Sequence, residues 1–454
     1  MADYWMEWAS LLLRWLHVIT AIAWIGSSFY FVWLDLSLRK ADRLPKGVHG
    51  ESWSVHGGGF YHVQKYLVAP DKMPKELHWF KYESYFTWVS GFSLLAVTYY
   101  WGAQVFLIDS SVADLSVTQA VGLSLGSLAL GWLIYDGLCK TPIGKDLRLL
   151  GILVYAVVVA SAYGYSEIFS SRAALLHVGA LVATWMTGNV FFIIIPNQKK
   201  VVASLQRGEA PDPTLGQQAK QRSTHNNYLT LPVLFMMLSN HYPMTFVGED
   251  LWILVALVVL TGAIIRDYFN AGHAGADGFR VKWQWPVASA LIVTLAVWAR
   301  PTAIALDSHQ IIKDNDVEII VSTHCAACHA ARPTMSGFSS PPKGVVLETL
   351  ADVQQYKQQV YAQSVASEAM PPGNLTQMTA EERAILGPGS HVLLRSSASD
   401  YQAASPQMQP TVRTLVACTV GHRRGSQGQH PSAAKRNLTS WVARHDRLRS
   451  VLIR

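Results

Sequence analysis

Cys325-Ala326-Ala327-Cys328-His329 sets two thiols two residues apart directly before an imidazole. Both sulfurs fall on one helical turn, where they can form thioethers with a haem edge, and the adjacent imidazole is carried under the iron as proximal ligand. The chemistry implied is one-electron transfer through covalent haem c. A zinc site on the same residues needs a second Cys or His pair at suitable spacing, and the other cysteines, Cys139 and Cys418, are isolated. A second axial ligand is expected downstream. Met370 opens Met370-Pro371-Pro372-Gly373-Asn374, whose prolines and glycine hold a rigid, non-helical course that can aim a thioether at iron. Met335 lies too close to the attachment histidine and Met378 begins the next helix, which suits both to gap filling. His329 and Met370 are therefore the expected iron ligands, a pair that gives a relatively high potential.

These residues sit at the far end of a chain built for a bilayer. Of 454 residues, 50% are apolar and 15% charged, the composition of a membrane protein. Eight stretches are long enough to cross a hydrocarbon core of ~30 Å: Ser10 to Leu34, Tyr85 to Ile108, Thr118 to Leu138, Leu147 to Phe169, Ala173 to Ile195, Asn226 to Phe246, Leu251 to Ala271 and Trp283 to Thr302. The sixth, with Asn226, Asn227, Pro232, Asn240, His241 and Pro243, is the least apolar. The first begins after acidic Asp3 and Glu7 and is too long for a cleavable signal, so a retained helix is expected. Lys and Arg set the orientation. The first and fifth connections carry eight and five, whereas the second, fourth and sixth hold one between them. That bias places the amino terminus outside, and an even number of spans returns the haem motif to the outer face.

The fold class expected is all-α: a polytopic bundle of eight transmembrane helices over residues 1–306, a polar linker at 307–315, and a small class I-like cytochrome c domain at 316–386. The long first connection, Asp35 to Ser84, is rich in His, Gly and aromatics and is expected to be functional, not disordered. Pro196 to Ser223 reads as a solvated amphipathic connector. A helix should lead into the haem motif, another should span about Leu347 to Ala366, and a third should open at Thr379-Ala380-Glu381-Glu382 with an amino-terminal cap. From Gly387 the apolar periodicity stops. Residues 387–454 contain ten Lys or Arg against two Asp, and their Ser, Gln and Arg richness reads as disordered or out-of-frame sequence. The net charge of +7 is thus a property of this tail and says nothing about the membrane or haem regions.

Several phrases resemble the membrane-bound urate oxidases, or urate hydroxylases, that end in a cytochrome c domain. They are Arg14-Trp15-Leu16-His17-Val18, Gly59-Phe60-Tyr61-His62, Leu77-His78-Trp79-Phe80-Lys81-Tyr82-Glu83, Thr187-Gly188-Asn189-Val190-Phe191, Arg222-Ser223-Thr224-His225-Asn226-Asn227-Tyr228 and Arg266-Asp267-Tyr268-Phe269-Asn270. With the haem and methionine motifs, the resemblance covers residues 1–386. It departs at the tail, where the family finishes its cytochrome helix, usually with a tryptophan. The resemblance implies oxidation of urate to 5-hydroxyisourate, with electrons leaving through the cytochrome to a respiratory acceptor such as a cytochrome oxidase or soluble cytochrome c, and no peroxide formed. It also implies the bacterial inner membrane, with the cytochrome on the periplasmic side.

Ionisable groups inside a membrane domain are functional candidates by default. His17, His177 and His241 are expected in a layer near the outer face. Two alternatives are open there: haem b held between His17 and His177, or three interhelical hydrogen-bonding histidines. On the inner side lie His62, His78, Glu83, His225, Asn226, Asn227, Arg266, Asp267 and His273. A flat purine anion wants a cationic clamp, a stacking surface and an acid-base group. Arg266 is the expected anion partner, Trp79 or Tyr82 the stacking surface and His78 or His225 the base. The competing expectation is that Arg266 pairs with Asp267. Gly122-Leu123-Ser124-Leu125-Gly126 matches a hydrolase nucleophile elbow, but Ser124 lies in an apolar helix, not on a strand-to-helix turn; its small residues are expected to let helices approach. Competing classes are a quinol or other small-molecule dehydrogenase feeding the same cytochrome, and a non-catalytic anchored cytochrome, for which one helix would suffice. No nucleotide, phosphate-loop or flavin motif occurs, and nothing points to nucleic acid.

Overall fold

The computed structural model describes residues 2–67, 74, 76–278, 282–300, 312–335 and 337–387. The expected linker lies largely outside these residues, as does the basic tail with Cys418. The chain opens with α1 (Ala2–Ser37), then β1 (Val48–His56) and β2 (Gly59–Tyr66), an antiparallel hairpin. This hairpin departs from the all-α expectation. The Gly57-Gly58 turn takes positive φ at both residues, the geometry that a two-residue hairpin turn demands. Helix α2 (Tyr82–Leu95) runs into a π-helical segment, Ala96–Tyr100, and the short α3 (Ala103–Phe106).

Helix α4 (Val117–Lys140) starts in a Ser116/Gln119 capping box, and α5 (Leu147–Ser166) starts on the Asp146 carboxylate, which accepts from Arg148 N and Leu149 N. Side-chain oxygens at these positions satisfy amide groups that the helix itself cannot. Helix α6 (Ser171–Gly188) continues through a π-helical segment, Asn189–Ile194, into α7 (Ile195–Gln206). Helix α8 (Pro213–Leu238) begins with an Asp212 cap and Pro213 at its first position, a combination suited to helix entry. Most of the expected solvated connector is therefore helical: it is α7 from its second residue onward and the polar first half of α8. Helix α9 (Leu251–His273) and the shorter α10 (Gln284–Trp298) complete the bundle.

Among the described residues, five helices are long and apolar enough to cross a membrane: Tyr4–Ser37, Val117–Lys140, Leu147–Ser166, Ser171–Gln206 and Leu251–His273. This is consistent with a membrane protein. In lipid, helices associate through close packing more than through expulsion of water. Here the close approach is at Gly131, where a Cβ would collide with Leu181, and at Gly262, where it would lie 2.7 Å from the Pro232 ring. It is not at Gly122 or Gly126, beside which a Cβ would meet open space. The core that results is formed by Tyr135, Phe169, Leu175, Leu181, Trp185, Met236, Leu251 and Leu254, all nearly inaccessible.

Beyond residue 312 the chain forms a separate small core of Val317, Ile320, Val321, Leu347, Val353, Val360, Met378 and Leu386. Its helices are α11 (Asp314–His324), α12 (Ala326–His329), α13 (Leu350–Gln355), α14 (Lys357–Val360) and α15 (Ala380–Ile385). The helix expected over Leu347 to Ala366 is thus broken at Tyr356 and ends in a π-helical turn, Tyr361–Val365. The Thr379 cap is present as a full capping box with Glu382. This module rests on one end of the bundle. Gly373 presses on the Ile108 carbonyl with no room for a Cβ, Ser339 Oγ donates to Glu7 Oε1 at 2.9 Å, and Tyr361–Val365 packs near Pro243–Thr245.

Candidate functional site

One turn of α8, His225 to Tyr228, supplies polar side chains to two clusters. The first involves α4 and the α6 π-segment. Arg222 Nη2 donates to Asp136 Oδ1 at 2.8 Å and its Nη1 to Asn189 Oδ1 at 3.1 Å. Asn189 Nδ2 donates to both Tyr135 Oη and Asn226 Oδ1 at 2.9 Å. Tyr135 Oη also bonds His225 Nδ1, 2.8 Å away. Trp185 stacks on Tyr135 with centroids 4.8 Å apart and planes at 5°. The arginine here is buried but paired.

The second cluster involves α1 and α9. Arg266 is 4% exposed and its guanidinium lies 3.8 Å from the Phe29 ring centroid. Its Nε donates to Asn227 Oδ1 at 3.1 Å, an oxygen shared with Asn270 Nδ2 at 2.8 Å. Arg266 Nη2, Asn227 Nδ2, Asn270 Oδ1 and His273 Nδ1 are buried without a partner among the described residues. Arg266 also has no ion pair among them. The expected pairing with Asp267 does not form: Asp267 accepts instead from Tyr228 Oη at 3.0 Å and Gln284 Nε2 at 3.1 Å. Asp267 also lines a cavity of about 430 Å³ with Ala271, Ala274, Gly275, Ala276 and Trp283, within the ~300–1,000 Å³ of small-molecule sites.

The remaining candidates are dispersed. His78 is exposed, edge-on to Phe80 at 4.5 Å. Tyr82 is 58% exposed with Lys81 over its ring, so it is no buried stacking surface. His62 sits on the hairpin, stacked on Trp53 and 2.7 Å from Glu51. Near the other end of the bundle, both ring nitrogens of His177 are engaged, Nε2 with Ser124 Oγ at 2.7 Å and Nδ1 with the Ala173 carbonyl at 2.7 Å, in a fully buried setting of Tyr99, Tyr165 and Phe169. His17 Nδ1 bonds the Thr87 carbonyl and Ser90 Oγ. Each histidine is tied into its own helix contacts, and the packing around His177 does not fit an axial ligand of haem b. His241 is exposed. Phe29, Tyr135 and Asp136 belong to these clusters without any motif in the sequence that points to them. An acidic residue in an apolar span was the available signal for Asp136; nothing marked Phe29.

In the C-terminal module, Cys325 caps α11 and Cys328 follows on the next turn; both are half-buried and free. Burial pushes the Cys325 thiol up to about 11 and also raises that of Cys328, the reverse of the depressed thiol that disulfide exchange uses. His329 Nδ1 lies 2.8 Å from the Val345 carbonyl. Buried Arg383 holds the methionine loop: it donates to the Ser364 carbonyl, to the Met370 carbonyl at 2.8 Å and to Asn374 Oδ1 at 3.2 Å.

Residues 3–300 match the family described as urate oxidase N-terminal. The chain belongs to that family. The matched region contains both α8 clusters and ends before the C-terminal module. No curated protein and no solved structure matches the chain. A urate oxidase-related family and five apolar helices together describe an oxidoreductase of the urate-oxidising kind, consistent with a membrane location.

Proposed function

We propose that the chain oxidises urate to 5-hydroxyisourate at the Arg266 cluster and passes the electrons to a haem c held by the C-terminal module, without forming peroxide. The observation that carries this reading is Arg266 itself, a buried cation on an aromatic ring with an open Nη2 and no counter-ion among the described residues. An uncompensated buried charge is expensive, and an anionic ligand removes the cost. Urate is a flat anion edged with carbonyl acceptors and N–H donors. Arg266 Nη2 and Asn227 Nδ2 suit its acceptors, and Asn270 Oδ1 suits an N–H.

Asp267 is the group proposed to take a proton. Two hydrogen bonds hold its carboxylate, the residue lines the cavity, and oxidation of urate with addition of water releases two protons and two electrons. His225 is committed to Tyr135 and His78 is exposed, so neither is given a step.

The module's residues fit haem c. The two thiols stand one turn apart, and the His329 Nδ1 bond to Val345 fixes the ring with Nε2 as its ligating nitrogen. Met370 would supply the opposite ligand, its backbone held by Arg383. The haem would supply a one-electron acceptor, used twice per turnover. In this reading the bundle has eight spans in a bacterial inner membrane, with the module on the outer side serving a respiratory acceptor.

The test is anaerobic absorption spectroscopy of the solubilised, oxidised protein during urate addition. Prompt reduction of the haem c band, abolished in Arg266→Gln, is the expected result. No reduction by urate in a preparation that dithionite reduces would overturn the proposal, and reduction by a quinol alone would assign a different donor.

A further inference from the structure

We propose that urate enters from the membrane face opposite the C-terminal module, so that each turnover carries negative charge across the bilayer; this rests on the function proposed above. The module touches the bundle at Glu7 in α1, at Ile108 and near Pro243–Thr245, just before α9 begins. From there, Arg266 lies about 22 Å down α9 and Phe29 about 33 Å down α1, at ~1.5 Å per residue. The substrate cluster and the haem motif are therefore near opposite ends of a layer whose hydrocarbon core is ~30 Å thick.

The route in also differs between the two ends. On the module's side of Arg266, one turn away, α8 and α9 meet at Pro232 and Gly262 with no room for a Cβ. Beyond that seam, Leu254, Val255, Val258 and Val259 of α9 are all buried. On the other side, the Asp267 cavity is walled by Ala271, Ala274, Gly275, Ala276 and Trp283, around the carboxy-terminal end of α9, and all of these but Trp283 are small. Arg39 donates to the His273 carbonyl at 3.4 Å beside it, and exposed Lys282 precedes Trp283. Exposed cations at a mouth concentrate an anion, and this is the basic face that loop charge assigns to the cytoplasm.

The balance per turnover is urate plus water giving 5-hydroxyisourate, two protons and two electrons. The protons leave by way of Asp267 to the face from which urate entered, and the electrons go singly to ferric haem c on the far face. An inside-negative potential therefore assists the reaction, by up to ~50-fold per 100 mV in the equilibrium of one charge crossing the whole membrane.

The experiment uses the full-length holoprotein in sealed liposomes, with orientation fixed by protease access to the module. Urate is confined to one side while haem reduction and a potential-sensitive dye are followed. Separately, an Ala276→Cys variant in a Cys418→Ser background is labelled with a membrane-impermeant maleimide, with and without urate. Expected are reduction and a dye signal only when urate faces away from the module, and labelling from that same face, slowed by urate. Equal reduction with urate on the module's side, or labelling from that side, overturns the entry route while leaving urate oxidation standing. Absence of reduction from either side and in detergent, with haem still reducible by dithionite, overturns both.

Discussion

The two clusters joined by α8 contain the same chemical types, an arginine, asparagines and an aromatic ring, yet they differ in how completely they are satisfied. Beside α4, Arg222 has Asp136 for its charge, and the Asn189 amide, the Tyr135 hydroxyl and His225 Nδ1 complete one another, which leaves Arg222 Nε and Trp185 Nε1 as the buried atoms of this cluster without a partner among the described residues. Beside α9, Arg266 has a neutral amide oxygen and a phenyl face, and four buried polar atoms of the cluster, its own Nη2 among them, have no partner among the described residues. A closed network rigidifies a bundle and fixes which helices are neighbours. An open one keeps its free energy in reserve for something that binds. The arginines alone would not separate the two roles; their partners do.

The largest expected effect breaks the closed side. Arg222→Met leaves Asp136 facing α8 with only the exposed Lys140 to balance it, and loss of one partner of a buried pair costs ~3–5 kcal/mol. Thermal unfolding in detergent should shift down strongly, while the molecules that remain folded keep their KM for urate. Arg266→Gln should do the opposite. It removes a charge that no carboxylate among the described residues compensates, so the unfolding midpoint should hold or rise, while kcat/KM falls about 100-fold or more, corresponding to ~3 kcal/mol of lost binding to an anion. If both variants lost stability and neither lost kcat/KM selectively, the contrast between open and closed clusters would be wrong.

How much of this contrast could be seen in the sequence depends on the side chain. Arg266, Asp267, Asn227 and His273 are polar groups in or beside an apolar span, and that incongruity alone marks them. Their division between two faces is not visible, because His225 to Tyr228 occupy a single turn and point in all directions around it. Phe29 is one of many aromatics in α1 and becomes distinctive only through what lies above its ring. The polar first half of α8 lacked a helical apolar stripe, yet Asp212 and Pro213 were a legible start signal that composition outweighed. The hairpin was hidden for a similar reason: its Gly-rich turn dominated the strands beside it. In the C-terminal module the Thr379 and Glu382 capping signal is local in sequence and forms as read, whereas the break at Tyr356 has no proline or glycine to announce it.

A subtler probe is Gly262→Ala, which presses a methyl into the Pro232 ring where α8 and α9 meet. Overpacking of this kind costs about 2 kcal/mol, and the strain falls one turn from Arg266, closer to the open cluster than to the closed one. Urate binding, followed by titration, should therefore weaken with little change around Tyr135, whose environment can be followed by the near-ultraviolet dichroism of its stack with Trp185. Equal disturbance of both would mean that α8 transmits strain as a rigid rod and that the two faces are not independent.

The smallest expected effect is that of Tyr228→Phe, and it tests whether Asp267 belongs to the open side at all. The variant deletes the hydroxyl that donates to Asp267 Oδ1 but keeps the ring, and Gln284 still holds Oδ2. Loss of one hydrogen bond to a carboxylate is worth about 1.5 kcal/mol. If Asp267 takes the proton that urate loses, its carboxylate is then less well aimed, and kcat should fall by up to about 10-fold, with KM nearly unchanged because Arg266 still binds the anion. If Asp267 is only a structural acceptor, the same deletion should lower the unfolding midpoint and leave kcat where it was. A loss of kcat without a loss of stability thus assigns Asp267 to the reaction; a loss of stability without a change in kcat assigns it to the α8, α9 and α10 packing.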